Sequence, residues 1–309
     1  MSIREWLGVP AREGERVGIS GWLVVIAAIY LVIGVAAFAA YSITGNSAWV
    51  ESFFKIPGAL LAFFFALIQL WFAIQVLSHF SGDEPMRNVW LCLAGSAGFD
   101  LVGATCSQVL GIDSPLNPLT YTPMWSPQTA TEVRQYGLLL GGTCRFTLLA
   151  VGLALSVRIY RRHRLLGRFT WLDWLILILM GSFTAKEIVE IVQAGSAGRN
   201  FFVKEIASWP VDTLLWFSLF QALLLYRSAH QMGPGWVTRC WNAFAVGTFL
   251  ICVGVVADWA TRWDYFPWPW SALIWYIWLP AGAAFALAPV YQLEAIQNAI
   301  AAHRGVSRA

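Results

Sequence analysis

Charge is what this sequence has least of. Only 12% of its 309 residues are Asp, Glu, Lys or Arg, about half the share in an ordinary soluble domain. The net charge of +3 is too small to imply nucleic-acid binding. No H-E-x-x-H, G-x-S-x-G, Walker A or Rossmann glycine pattern occurs. Catalysis by a known motif is therefore not expected, and neither is a bound cofactor. The five cysteines, Cys92, Cys106, Cys144, Cys240 and Cys252, form no C-x-x-C pair and all lie in apolar stretches. Their odd number argues against a complete disulfide framework, and buried, inert thiols are the expectation. The four histidines are His79, His163, His230 and His303. Neither His79 nor His230 has a second histidine or cysteine at helical spacing, so no metal or haem site is expected.

What the sequence has in abundance is apolar and aromatic surface. Hydrophobic residues make up 58% of the chain, and 18 residues are tryptophan. Apolar runs fall at 20–44, 56–80, 88–111, 133–157, 171–194, 208–226, 236–260 and 271–291. Runs of about 20 residues are long enough to cross a bilayer as helices. The expected fold is an all-α integral membrane protein of eight transmembrane helices in a single polytopic domain, 1–309. Ahead of the first run, residues 2–7 are expected as a short interfacial helix ended by Pro10. A cleaved signal peptide is the competing reading, but the apolar core is too long for one. Residues 112–132 form the longest connection, with four prolines, and read as a cap over the outer face. The stretch 263–270 reads as an aromatic girdle, and the tail from 292 as a short separate polar helix.

Thirteen of the 20 Lys and Arg residues fall at the two termini, in the connections after the second, fourth and sixth runs and, as Arg239, in the first turn of the seventh run. The densest group is Arg158, Arg161, Arg162, Arg164 and Arg168. The positive-inside rule then predicts that both termini lie in the cytoplasm.

The eight runs also suggest two halves, 17–160 and 166–295. At an offset of 151, His79, Gly82, Trp90 and Gly103 match His230, Gly233, Trp241 and Gly254. The first and fifth runs open alike, Gly18-Ile19-Ser20-Gly21-Trp22-Leu23 against Gly167-Arg168-Phe169-Thr170-Trp171-Leu172. A tandem duplication is one reading, and interface chemistry shared by unrelated spans is the other. The opening Val17-Gly18-Ile19-Ser20-Gly21-Trp22-Leu23 with its apolar helix resembles the start of the uncharacterised bacterial membrane family DUF2569, over residues 17–110. That resemblance implies a bacterial inner-membrane protein and carries no activity.

Ionisable residues inside apolar runs are the candidate site, because such groups are costly in lipid unless they pair or meet water. Lys186, Glu187 and Glu190 share one side of the fifth run, at i, i+1 and i+4. Asp212 and Asp258 lie towards the same outer side, so the five either line one outward-facing vestibule, as a cation, proton or polar-ligand site, or are solvated charges of helix ends at the headgroup level. Asp100 and Arg145 lie deeper, in the third and fourth runs, and are expected to meet as an ion pair. That pair is read either as a register-fixing structural contact or as a relay or anchor for a substrate. Trp263, Trp268, Trp270 and Trp275 at the outer edge read as an aromatic belt. Three function classes follow. The first is a non-enzymatic ligand-sensing module or subunit, whose partners are the bilayer and other membrane chains. The others are a small-solute or proton-coupled transporter, and a membrane enzyme acting on lipid or quinone.

Overall fold

The computed structural model describes residues 18–53, 58–105, 139–167, 169–196, 204–233, 235–262 and 273–306. Among them the chain is all helical: α1 Ile19–Thr44, α2 Ala48–Phe53, α3 Ala59–Ser78, α4 Pro85–Ala104, α5 Arg145–Arg162, α6 Trp171–Ser196, α7 Lys204–Gln231, α8 Trp236–Arg262 and α9 Leu273–Val306. A π turn, Leu139–Cys144, leads into α5. Five segments are long and apolar enough to cross a membrane: Ile19–Thr44, Leu60–Ser78, Leu140–Arg162, Trp236–Ala257 and Tyr276–Ile300. Large apolar side chains point outward on α1, α3 and α6, among them Val32, Trp71 and Ile178. In water such faces would be a liability. In a bilayer they meet acyl chains, so the molecule is an all-α membrane protein.

Four features depart from the expected boundaries. The fourth run continues to Arg162, which puts Arg158, Arg161 and Arg162 in the last turns of α5 instead of the connection after it. The third run starts earlier, at Pro85, because proline is well suited to the first helical position; its expected end, 105–111, runs past the last described residue of α4. The sixth is longer at both ends, with Pro210 in the second turn of α7 instead of at its entry. The tail is not a separate helix, since α9 continues unbroken through Pro280 and Pro289 to Val306. The 2–7 helix, the 112–132 connection and the 263–270 girdle lie outside the described residues, as do Cys106, Trp268, Trp270 and the side chain of Trp275.

Six helices close into a ring in which α3 packs on α4, α4 on α5, α5 on α7, α7 on α8, α8 on α9 and α9 back on α3. Stepping three places round this ring takes α3 to α7, α4 to α8 and α5 to α9, so the neighbour pattern of the first three helices recurs in the last three. Two helices lie outside it, α6 against α7 and α1 against α9, with α2 folded onto α1. The connections 79–84, 163–170 and 232–235 all lie at one end of the bundle, called here the near end; the other is the far end.

Packing is intimate where glycine allows it. A Cβ on Gly34 of α1 would lie 1.9 Å from the Tyr276 hydroxyl oxygen. The bare glycine lets the Tyr276 ring dock α1 onto α9, beside Phe38 and Phe53. At the near end Ser20 donates to the Glu294 carboxylate at 3.1 Å, fixing the other end of the same contact.

Candidate functional site

The axis of the ring is filled by aromatic side chains from the near end upward. Trp241 Nε1 of α8 donates to the Tyr160 hydroxyl of α5 at 3.0 Å. Phe244 follows one turn on and packs against Trp241, against Trp90 of α4 and against Phe285 of α9. Trp90, Trp241, Phe244 and Phe285 are all fully buried. None of the four side chains is accessible to water.

An ion pair caps this plug. Asp100 of α4 and Arg145 of α5 meet at 2.7 Å between Oδ1 and Nη1. Local structure fixes the partners. Ser96, one turn before Asp100, donates its hydroxyl to the Arg145 carbonyl at 2.9 Å. The π turn ahead of Arg145 brings Gly141 against Gly103, where a Cβ would come within 2.7 Å of the opposing Cα. A π turn widens the helix locally and recurs at functional positions. The Arg145 guanidinium lies 4.9 Å from the Phe146 ring centroid and 5.4 Å from that of Phe285. Those rings hold its charge without satisfying its N–H groups.

The remaining bonding capacity is the chemically informative feature. Guanidinium has five N–H donors. Among the described residues, the only polar partner of the Arg145 guanidinium is Asp100. The two side chains keep 13% and 16% of their surface exposed. A cation with open donors, backed by aromatic rings and held at a fixed height, can take a carboxylate or phosphate oxygen in fork geometry.

The other sequence candidates are arranged differently. Lys186 and Glu187 sit on α6, outside the ring, where the Thr184 hydroxyl meets that of Thr213 at 2.7 Å and Phe183 stacks on Trp216 of α7. Glu187 is buried and Lys186 half-buried. Asp212 of α7 is half-buried and within electrostatic reach of Cys252 of α8. Glu190 and Asp258 fall on α6 and α8, with side chains outside the described set. Asp100 and Arg145 are thus joined by structure, while Lys186 and Glu187 belong to a peripheral helix. Cys240 and Cys252 are buried thiols, and Cys92 and Cys144 are half-buried. His79 and His230 are exposed at the near end of α3 and α7. No group of three or more potential metal ligands occurs among the described residues.

Sequence reasoning passed over a second ionic contact. Thr170 and Asp173 open α6 as a capping box, with the Thr170 N–H and hydroxyl donating to Asp173 Oδ2 at 2.6 and 2.8 Å. Arg227 of α7 pairs with the other oxygen of this fully buried carboxylate. Ser228 accepts the Gly167 N–H at 3.0 Å. The signal was present as T-x-x-D ahead of an apolar run. Its saturated bonding marks it as a structural clip. Nearby, in the exposed turn after α3, Ser81 donates to Asp83 at 2.8 Å, and that hydrogen bond holds the Asp83 carboxyl below its usual range.

No family model, curated protein or solved structure matches this chain.

Proposed function

We propose that this chain is a ligand-binding module of a bacterial inner membrane, non-enzymatic, with all eight long helices crossing the bilayer and the near end in the cytoplasm. Its ligand carries an anionic oxygen group and enters from the far, external end to meet Arg145. The observation that carries this reading is the Arg145 guanidinium, which among the described residues has Asp100 as its only polar partner yet retains exposed surface beside the aromatic plug. An intramembrane charge held in this way is a functional position by default. Asp100 serves as the resident counter-ion that an incoming anion must supplement or displace. Lys186, Glu187, Glu190, Asp212 and Asp258 lie towards the same far end and would shape the approach. Output would pass to a partner chain through the bilayer-facing helices.

The test uses purified protein in detergent, titrated with acetate, succinate and inorganic phosphate while thermal stability is followed. Stabilisation by at least one of these, lost in Arg145→Gln and strengthened in Asp100→Ala, is the expected pattern. Equal responses in wild type and Arg145→Gln would remove Arg145 from the site.

A transporter is the second reading, favoured by one observation: the helix neighbours recur after three places round the ring, and a tandem duplication of residues 17–160 and 166–295 would produce that order. Repeats of this kind, related by an axis along the membrane normal, occur in transporters, whose sites lie between the halves. Buried, repeat-related Trp90 and Trp241 support duplication over shared interface chemistry, because neither faces lipid. Proteoliposome flux of the stabilising anion separates the two readings. Binding without flux favours the module, and flux abolished by Arg145→Gln favours transport.

A further inference from the structure

A second site lies on the opposite face of α8. One stripe of that helix, Arg239, Asn242, Ala243 and Val246, lines a shallow groove with Ala284, Leu287 and Tyr291 of α9. At 100° per residue this stripe points away from Trp241, Phe244 and Thr248. The groove therefore faces out of the ring. Because α8 and α9 run antiparallel, its polar groups gather at the near end and its apolar groups run towards mid-bundle.

The polar end is built and incompletely bonded. The Arg239 guanidinium lies over the Trp236 ring at 4.6 Å, and Trp236 packs on Tyr291 at 6.0 Å between centroids. Among the described residues no side chain accepts a hydrogen bond or forms an ion pair with Arg239. Glu294, the carboxylate within its electrostatic reach, is engaged by the Ser20 hydroxyl at 3.1 and 3.2 Å. The Asn242 amide and the Tyr291 hydroxyl likewise have no hydrogen-bond partner among the described residues. Beyond them the lining is apolar, Ala243 and Val246 of α8 with Ala284 and Leu287 of α9.

A charged, donor-rich head and a narrow apolar lane, opening sideways from a membrane helix pair, match the two halves of a phospholipid. We propose that this groove binds one anionic phospholipid, with the phosphate at Arg239, Asn242 and Tyr291 and an acyl chain laid along Ala243 and Ala284. Basic positions between helices on the cytoplasmic side commonly recognise anionic headgroups in this way, and here this rests on the cytoplasmic placement of the near end proposed above. The site does not depend on the Arg145 reading, since it lies on the other face of α8. It would tie the α8–α9 pair to the composition of the inner leaflet.

The experiment uses the full-length chain, delipidated in detergent. Native mass spectrometry and thermal unfolding are run with phosphatidylglycerol, phosphatidylcholine of the same acyl chains, and inorganic phosphate. One retained phosphatidylglycerol with a raised melting temperature, and no such effect of phosphatidylcholine, is expected. Arg239→Gln should weaken phosphatidylglycerol binding at least tenfold, and Arg239→Lys should restore part of it. Ala284→Leu, which fills the lane, should weaken it with the head group intact. Arg161→Gln/Arg162→Gln, in the last turn of α5, should leave it unchanged. Phosphatidylglycerol carrying a photoreactive acyl chain, applied to the wild type, should label the peptides containing Ala243 and Ala284, a readout independent of how the variants fold. Retention unchanged in Arg239→Gln, labelling spread evenly over all helices, or the same stabilisation by inorganic phosphate alone would each overturn the proposal.

Discussion

Arg145 and Asp100 show how two residues can be bound to one another and still leave a site. Removing one partner of a buried ion pair strands the other, a loss of about 3 kcal/mol, the lower part of the usual range because both groups keep some exposure. Asp100→Asn and Arg145→Gln should each lower the unfolding free energy in detergent by that order. The double variant should recover part of the loss, which a double-mutant cycle of thermal or denaturant unfolding measures directly. An additive double variant would show that the two charges do not couple. Arg164 is a residue-scale case of a different kind. Its φ of 58° places it in the left-handed region after α5, where glycine is the usual occupant. The Leu165 N–H closes this turn on the Tyr160 carbonyl at 2.9 Å. Arg164→Gly should raise stability by up to about 1 kcal/mol, the roughly 1–2 kcal/mol left-handed cost of an L-residue less the roughly 0.5–1 kcal/mol of extra backbone entropy that glycine loses. A lower melting temperature in that variant would mean that the arginine side chain makes a contact outweighing its backbone.

At the scale of elements, the two peripheral helices are held by different devices. The α6 helix is tied to α7 by Thr170, Asp173, Arg227 and Ser228 at the near end, and by Thr184 with Thr213 further along. Asp173→Ala should free the N-terminal turns of α6 and leave the ring folded. Hydrogen exchange in residues 171–180 should rise well above that of α8, and uniform exchange across both helices would refute a local clip. The α1 helix depends on shape instead. Gly34→Leu places a side chain where Tyr276 now lies, so α1 should detach from α9 and limited proteolysis should cut within 45–58. The T-x-x-D cap of α6 was legible in the sequence. The docking of Tyr276 over Gly34 was not, because residues 242 apart in the chain leave no local pattern.

For the molecule as a whole, the ring around an aromatic axis is the feature with most consequence. Trp90 and Trp241 sit at matching places in helices related by three steps round the ring, each fully buried. Trp90→Ala and Trp241→Ala should each lose about 3–5 kcal/mol through the cavity they open. Both cavities lie on the same axis, so each should also admit water towards Arg145, read as faster modification of a cysteine placed at Phe285. Similar losses in stability without that gain in access would mean that the plug is structural only.

Composition and periodicity determined the membrane environment, the all-α class and roughly where the long helices fall, because lipid imposes a length and an apolarity that each segment must satisfy by itself. They also singled out Asp100 and Arg145, since charge within an apolar run stands out locally. The tertiary structure decided what local pattern cannot hold. It made α9 one helix through two prolines, and it set α1 and α6 outside the ring, with Lys186 and Glu187 on the peripheral helix. It turned Trp90 and Trp241 from apparent span-edge residues into a buried plug. The physical reason is that a bilayer fixes where each helix must lie in depth, while the partner of each helix face depends on side-chain shapes brought together from distant parts of the chain.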